Sequence, residues 1–599
     1  MSKNMYRVSK GFSLLLLLLI STLLVVSNSH INKTNIITPV SDNISIKKSF
    51  KNQQLSHSSV SIAKIDPLAI KQQEGDFIIF FTSDRYLQKF LESTKKRGDC
   101  NVKYTYELLS AVLINGKLAR ILELLNNEAV EYISYNRIYQ PATYYEEPSE
   151  IKPTTNESVG SIGAHELWAL GLKGDNVVVS VIDTGIDKDH PDLQLGGTTK
   201  VIGEKSFVLT TYGYDSNDPS PDDTQGHGTA VAGIIAGTGE GDPEIGVGVA
   251  PHALLLNARV FPKSGGATLA GIIAAIEWSI EGPDGSIGTS DDADVINMSL
   301  GGGAYYYDPV CIAIRRAVQY GVTVVIAAGN LPGGTSYDML TASVESPGVC
   351  WEAITVGATD VSGKVIESYS CTGPSIYSTV KPDVVAPSRI KVILPQSLGS
   401  YSTSPWAGTS FSSPHVAGAA ALLVQYLKDH IDKNASRVGL VKASLMAGAK
   451  PVGSLEELAV GAGFVQVDES YNILKQLIED NNDYRLTEIM PRKIPTGISP
   501  TLEFFPYRSK VFVNQIIRFN VTVVTSYSTD VSVSVQGSVA NAIEILSPTT
   551  FSISPPTTLW ELRFVAKNVS LGDYSGEIVF QDSNGRTIGS ISIEFTLDE

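Results

Sequence analysis

Cysteine is scarce in this chain of 599 residues: only Cys100, Cys311, Cys350 and Cys371 occur. So few, so scattered, exclude a disulfide-framework domain, and the lack of any Cys-x-x-Cys pair speaks against zinc. One bridge among the last three fits an oxidising compartment. Cys350 and Cys371 flank a predicted strand pair (353–358 and 365–369) that would bring them close, but sequence does not fix the connectivity. Positive charge is also short, with 46 Lys and Arg against 62 Asp and Glu and a net charge of −16. That balance argues against nucleic acid as a partner and leaves room for bound cations such as calcium, although solubility alone would account for it.

Long apolar runs are missing after the first thirty residues, which excludes a later bilayer-spanning helix. At the start, Lys3, Arg7 and Lys10 precede an apolar stretch from Phe12 that fades at Val26 before Ser27-Asn28-Ser29. A basic start, an apolar run and small residues beyond it read as a secretory signal over 1–29, so a secreted or extracellular location is expected. An uncleaved membrane anchor is the alternative. Sequons at Asn32, Asn43, Asn156, Asn434, Asn520 and Asn568 are then candidate glycosylation sites.

What is present divides the chain into three folded parts. Residues 30–72 are polar, without period, and read as a disordered spacer. Over 73–140 the pattern predicts strand 77–81, helix 84–96, strands 102–106 and 110–114, helix 118–127 and strand 130–134. That order, βαββαβ, is ferredoxin-like α/β. Residues 141–158 form a linker containing Pro148, Pro153, Glu146, Glu147 and Glu150. Between 159 and 476, apolar β-branched runs at 177–182, 254–256, 295–298 and 322–327 alternate with helical patterns at 269–280 and 309–320. They predict a doubly wound, mainly parallel α/β sheet whose ligands lie at the carboxyl ends of the strands. From 485 to 599, short alternating runs predict an all-β sandwich of immunoglobulin or fibronectin type. It is either a binding module for substrate or cell surface, or a stabilising appendage.

Polar residues at those strand ends form a chemical set. Asp183 ends the first strand in Val181-Ile182-Asp183-Thr184-Gly185. His227, one of eight histidines, stands between Gly226 and Gly228 at the mouth of a helix of small residues. Asn330 ends the run Val324 to Gly329. Ser410 opens a helix in Gly408-Thr409-Ser410-Phe411-Ser412-Ser413-Pro414-His415-Val416-Ala417-Gly418. Each alone is ordinary, since serine is a common N-cap and aspartate a common loop residue. Together they meet the needs of acyl transfer. A serine needs a base, the base needs an orienting acid, and the tetrahedral oxyanion needs donors such as the Asn330 amide and the Ser410 N–H.

The order Asp, His, Ser resembles that of the subtilisin-like serine proteases, and the motifs do as well. They are Asp183-Thr184-Gly185, Gly226-His227-Gly228-Thr229, Asn297-Met298-Ser299-Leu300-Gly301-Gly302, Ala327-Ala328-Gly329-Asn330, Asp383-Val384-Val385-Ala386-Pro387 and the Ser410 stretch. The resemblance implies a subtilisin-like fold and peptide-bond hydrolysis, with Asp183, His227 and Ser410 catalytic and Asn330 at the oxyanion. It makes Ser299, Leu300 and Gly301 the strand that pairs with protein or peptide substrates. It also implies that residues 73–140 are an inhibitory propeptide, the chain's own intramolecular inhibitor, cut away between about 139 and 158. Gly301, Gly302 and Gly303 suggest an open first pocket with broad apolar or aromatic preference.

Calcium is expected in a structural role only. Asp192 matches a family calcium ligand, although Pro243 stands where the partner loop would supply an amide. Asp284, Asp291 and Asp292 lie in a second oxygen-rich loop, 283–292, for which a solvated acidic turn is the alternative. Three departures stand out: Ala230 for a second histidine, Phe411-Ser412 for Met-Ala, and Ser388 for glycine. The rival readings are a binding or adhesion protein on a vestigial catalytic fold, and a serine hydrolase acting on non-peptide substrates.

Overall fold

The computed structural model describes residues 60–598 except 99, 143–152, 215–216, 304, 306–307, 332–342, 454–456, 481 and 495–509. The signal segment, most of the spacer and most of the linker lie outside the described residues. Among the described residues no helix is long and apolar enough to cross a membrane.

The N-terminal unit consists of β1 (Glu74–Phe81), α1 (Asp84–Arg97), β2 (Asn101–Tyr106), β3 (Ala111–Lys117), α2 (Leu118–Leu122) and β4 (Val130–Tyr135). Its sheet order is β2-β3-β1-β4 with every pair antiparallel, the ferredoxin-like arrangement that the pattern predicts. Helix α2 stops five residues short of expectation. Leu124 and Leu125 bond back three residues, and the Asn126 side chain accepts from the Ala129 N–H, so the Asn126-Asn127 pair turns the chain out of the helix. Residues 60–72, read as spacer, are ordered instead. Val60 and Ile65 are buried, and Asp66 caps a short helix that opens with Pro67. Asp66 also pairs with Arg137 in the interior. One further strand follows, β5 (Ile138–Pro141).

The central part is a seven-stranded sheet, all parallel. Its strands are β6 (Val178–Asp183), β7 (Val201–Ser206), β8 (Leu254–Arg259), β10 (Val295–Met298), β12 (Thr323–Ala327), β13 (Ile354–Thr359) and β14 (Val384–Pro387), in the order β14-β13-β12-β10-β6-β8-β7. Two short strands stand apart from it, β9 (Ala267–Thr268) and β11 (Leu300–Gly301). Residues of β6, β10, β12, β13 and β14 are buried throughout, because helices cover both faces, and that is why these runs are continuously apolar rather than alternating. The covering helices include α3 (His227–Ala236), α4 (Leu269–Glu281), α5 (Pro309–Gln319), α6 (Thr409–Leu427) and α7 (Ala435–Ala447). Cys311 on α5 is bonded to Cys350, and Cys371 is free and buried. The strand pair that suggested Cys350 with Cys371 is outweighed by the packing of α5, which brings Cys311 to Cys350 with Cα atoms 5.4 Å apart.

The C-terminal part is a pair of sheets. One holds β15 (Thr487–Met490), β17 (Ile516–Thr525), β21 (Thr557–Ala566) and β19 (Ile543–Ile545) in that order. The other holds β16 (Lys510–Phe512), β23 (Thr587–Asp598), β22 (Gly572–Asp582), β18 (Thr529–Gly537) and β20 (Thr550–Ile553). Along β18, much of β21 and the first half of β17 buried residues alternate with more exposed ones, as a sandwich requires, while the second half of β17 is buried throughout. Its core is continuous with that of the central part. Leu440 and Val441 of α7 share one apolar cluster with Val521, Val523 and Phe564.

Candidate active site

Asp183 ends β6 at the carboxyl edge of the sheet, and His227 opens α3 beside it. His227 Nδ1 lies 2.7 Å from Asp183 Oδ1, which also accepts from the Thr184 N–H. The two helices and the sheet edge bury both side chains. Gly228 is required here: a Cβ at that position would collide with the Gly185 carbonyl oxygen, so only glycine lets α3 start so close to the strand end. Asp223 fixes the approach. Its carboxylate accepts from the Thr184 hydroxyl, from the Gln225, Gly226 and Thr229 N–H groups and from the Thr229 hydroxyl, all within 2.9 Å. The sequence gives Asp223 only as one of several acidic residues before the histidine; its burial between β6 and α3 is what makes it an organiser.

Ser410 lies in the first turn of α6 and is buried. Pro414 sits inside that helix, so the Ser410 carbonyl lacks its i+4 N–H partner. The Ser299 hydroxyl takes that place, donating to the Ser410 carbonyl at 2.8 Å and lying 2.9 Å from Ser413 Oγ. Ser299 thus ties the strand beside the cleft to the helix that carries Ser410. The departure at Ser388 has a similar use. Its hydroxyl donates to the Gly408 carbonyl at 2.9 Å and accepts from the Gly408 N–H and from Tyr369, steadying the turn before Ser410. Phe411, another departure, packs its ring between His227 and Trp406 with centroids 5.6 and 5.9 Å away.

Asn330 is held by its own oxygen. Asn330 Oδ1 accepts from the Thr409 N–H at 2.9 Å and from the Thr409 hydroxyl at 3.0 Å, which turns Nδ2 toward the cleft. There Nδ2 donates to the carbonyl of Ala142. That same carbonyl accepts from the Ser410 N–H at 3.3 Å and from the Ser410 hydroxyl. The Ala142 N–H in turn donates to the Ser299 carbonyl at 3.1 Å.

Strand β5 leads Ala142 into this position. It lies between β9 and β11 as the middle of a three-stranded antiparallel sheet, pairing Tyr139 with Ala267, Gln140 with Gly301 and Pro141 with Leu300. Leu300 and Gly301 are therefore paired with the chain's own backbone. Asp183, His227, Ser299, Gly301, Asn330 and Ser410 are all brought to one cleft. The Ser410 hydroxyl also donates to the Ser299 carbonyl at 3.3 Å, while His227 Nε2 has no hydrogen-bond partner among the described residues.

The acidic residues singled out for calcium are elsewhere. Both oxygens of Asp192 are taken, one by the Gly241 and Asp242 N–H groups and the other by the Tyr401 hydroxyl. In the second loop, Asp284 accepts from Ser286 N–H, Asp291 from the Asp284 N–H and the Thr289 hydroxyl, and Asp292 from Gly288 N–H and Thr289. Bonds within the protein thus engage these carboxylates to different degrees, from three donors on Asp192 to a single one on Asp284. Among the described residues no group of three or more His, Cys, Asp or Glu side chains is gathered as a metal site. One further carboxylate, absent from every motif singled out above, lies by the cleft: Glu345, next to Gly301 and Gly329.

Comparison with known proteins gives concordant results. The profile described as the subtilase family matches residues 174–464. Serine protease AprX of Bacillus subtilis (strain 168) is 33% identical over 305 residues, covering 47% of this chain and 64% of that protein. Bacillopeptidase F of the same organism is 30% identical, but the match covers 24% of its length, so these two relatives extend well beyond what this chain spans. The major intracellular serine protease of Bacillus subtilis (strain 168) is 36% identical over 52% of this chain and 86% of its own length. Subtilisin E is 33% identical over 58% of this chain and 80% of its own.

Proposed function

The chain belongs to the subtilase family, and on that premise we propose that it is an exported serine endopeptidase, made as a precursor that inhibits itself and acting on protein or peptide substrates. The observation that carries this reading is the Ala142 carbonyl oxygen, received together by Asn330 Nδ2, the Ser410 N–H and the Ser410 hydroxyl. A peptide carbonyl in that position is one step from attack. Ser410 Oγ adds to the carbonyl carbon as its proton passes to His227 Nε2, the nitrogen left free by the bond from Nδ1 to Asp183. Negative charge then develops on the oxygen that Asn330 and the Ser410 N–H already hold. Collapse expels the amine, protonated by His227, and leaves an acyl group on Ser410 that water removes. Asp183 keeps the imidazole in the tautomer with hydrogen on Nδ1 and stabilises the imidazolium.

On this reading the first bond cut is the chain's own, between Ala142 and Thr143, and the N-terminal unit is the inhibitor that occupies the cleft through β5. Export is supported by the Cys311–Cys350 bridge, since disulfides persist in oxidising compartments. The test is expression of the wild type beside Ser410→Ala. The wild type is expected to shorten, with a new N-terminus at Thr143 by mass spectrometry, and to hydrolyse casein. The variant stays full length, with activity lower by about 10⁴-fold or more. Identical behaviour of the two proteins would sink the reading.

A further inference from the structure

The two backbone segments that hold Ala142 each carry a glycine facing the same carboxylate. A Cβ on Gly301, in the pairing strand β11, would collide with Glu345 Oε2. One on Gly329, the residue before Asn330, would lie 2.6 Å from Glu345 Cγ and 2.8 Å from Oε2. The absence of side chains at these two positions lets the Glu345 side chain lie against both backbone segments, beside the residue whose carbonyl meets Ser410. The backbone of Glu345 is fixed, with its N–H bonded to the Ala328 carbonyl at 3.0 Å. Its side chain has no hydrogen-bond or ion-pair partner among the described residues. Burial alone pushes its carboxyl up to about 7. The other titratable group that feels this charge is Cys371, whose thiol is raised well above its ordinary range by burial first and then by Glu345. Among the described residues no cation offsets the carboxylate.

We propose that Glu345 is a specificity-determining residue, and that its carboxylate receives the side chain of a lysine or arginine on the acyl side of the cleaved bond. This rests on the endopeptidase reading and deepens it. A partly buried carboxylate without a counter-ion is costly, and an ammonium or guanidinium brought by the substrate relieves that cost while an apolar side chain does not. The pairing replaces the broad apolar preference expected from the glycines alone: the glycines make room for Glu345, and Glu345 supplies the charge. The chain's own bond follows Ala142, whose one-carbon side chain is too short to bridge to the carboxylate, so self-cutting does not draw on this contact.

The experiment uses the processed wild-type protein and peptides identical except for Lys, Arg, Gln, Met or Phe at that one position. Wild-type kcat/KM at pH 8 is expected to favour Lys and Arg by about tenfold or more, with the preference fading as pH falls below 7 and Glu345 takes up a proton. Glu345→Gln should abolish the preference, and Glu345→Lys should shift it toward Glu at the same position. Shortening at Thr143 serves as the sign that each variant has folded. A wild type that cuts after Phe or Met as well as after Lys, or a ratio unmoved by either substitution, overturns the assignment. A wild type that neither shortens nor cuts any of the peptides overturns the endopeptidase reading and this one with it.

Discussion

The N-terminal unit and the C-terminal sandwich both pack on the parallel-sheet domain, but the chemistry of the two contacts differs. The N-terminal contact mixes apolar residues with ionisable and strongly polar ones. Ile78, Phe80, Leu109 and Tyr139 join the cluster of Ile272, Ile276 and Ile314. Around them, Glu277 of α4 accepts from the Leu108 and Leu109 N–H groups, Arg316 of α5 donates to the Phe81 carbonyl and to Glu131, and the Tyr106 hydroxyl donates to the Ala270 carbonyl. At the sandwich, α7 lies so close to β17 that a Cβ on Gly439 would collide with the Thr525 carbonyl, and the cluster beneath is aliphatic and aromatic from Leu440 through Val521 to Phe564. The first is built partly of hydrogen bonds that water can replace and covers the buried Glu277; the second centres on a shared apolar core, with bonds such as Asn520 to Tyr377 and Arg492 to the Met446 carbonyl at its edge. The first suits a part that leaves, the second a part that stays.

Removing each part in turn gives the sharpest separation. Deletion of 485–599 strips cover from Leu440 and Val441 and is expected to leave the rest insoluble or unable to fold. By contrast, the processed protein should lose its N-terminal unit and keep a cooperative thermal transition. Soluble expression and calorimetry of the two forms decide this, and a truncated protein with an unchanged Tm would erase the distinction.

The next effect is pH-dependent. Burial first, then the charges of Glu281 and Glu107, push the Glu277 carboxyl up to about 8 while the N-terminal unit covers it, against the backbone N–H groups that pull it down. Uncovered, it returns toward 4.5. The covered state therefore holds a proton more tightly. Its advantage is full below pH 4.5 and is lost progressively as pH rises toward 8. The cleaved unit should leave faster by about tenfold between pH 6 and pH 8, read as the rate of activity recovery, and Glu277→Gln should flatten that slope. A slope unchanged by the substitution would assign the pH response to other groups.

The smallest effect is on the sandwich side. Asn520, a sequon residue, donates from Nδ2 to the Tyr377 carbonyl at 2.7 Å, and its N–H donates to the Ser378 carbonyl at 3.1 Å. Asn520→Ala should cost about 1 kcal/mol, measured by denaturant unfolding. A glycan on this side chain would replace one of the two Nδ2 hydrogens and crowd the bond to Tyr377, so mass analysis of secreted protein should find none there.

Local sequence made much of this readable. Strands buried on both faces advertise themselves as β-branched runs, as at 177–182 and 322–327, and the N-terminal unit declares its element order through clear periods. The four site residues are legible because each sits in a short motif at an element end. What was hidden depends on distant parts of the chain meeting. Glu345 belongs to no motif, and only the approach of β11 and the Asn330 segment gives its charge a place. Cys311 finds Cys350 through the packing of α5. The N–H and O–H donors around Asp192, Asp284, Asp291 and Asp292 come from loop folding that no motif announces. Residues 60–72 look featureless by composition, yet the burial of Ile65 and the pairing of Asp66 with Arg137 order them.

Strand β5 also sets a timescale. While it is continuous with the rest of the chain, the segment that fills the cleft is tethered, and its effective concentration is on the order of millimolar whatever the dilution of the protein. Once the bond after Ala142 is cut, the same contacts become bimolecular, and their occupancy depends on how much of the released unit surrounds the enzyme. On the proposed reading, latency then becomes a property of volume: the protein would stay silent where it is crowded and wake where it spreads.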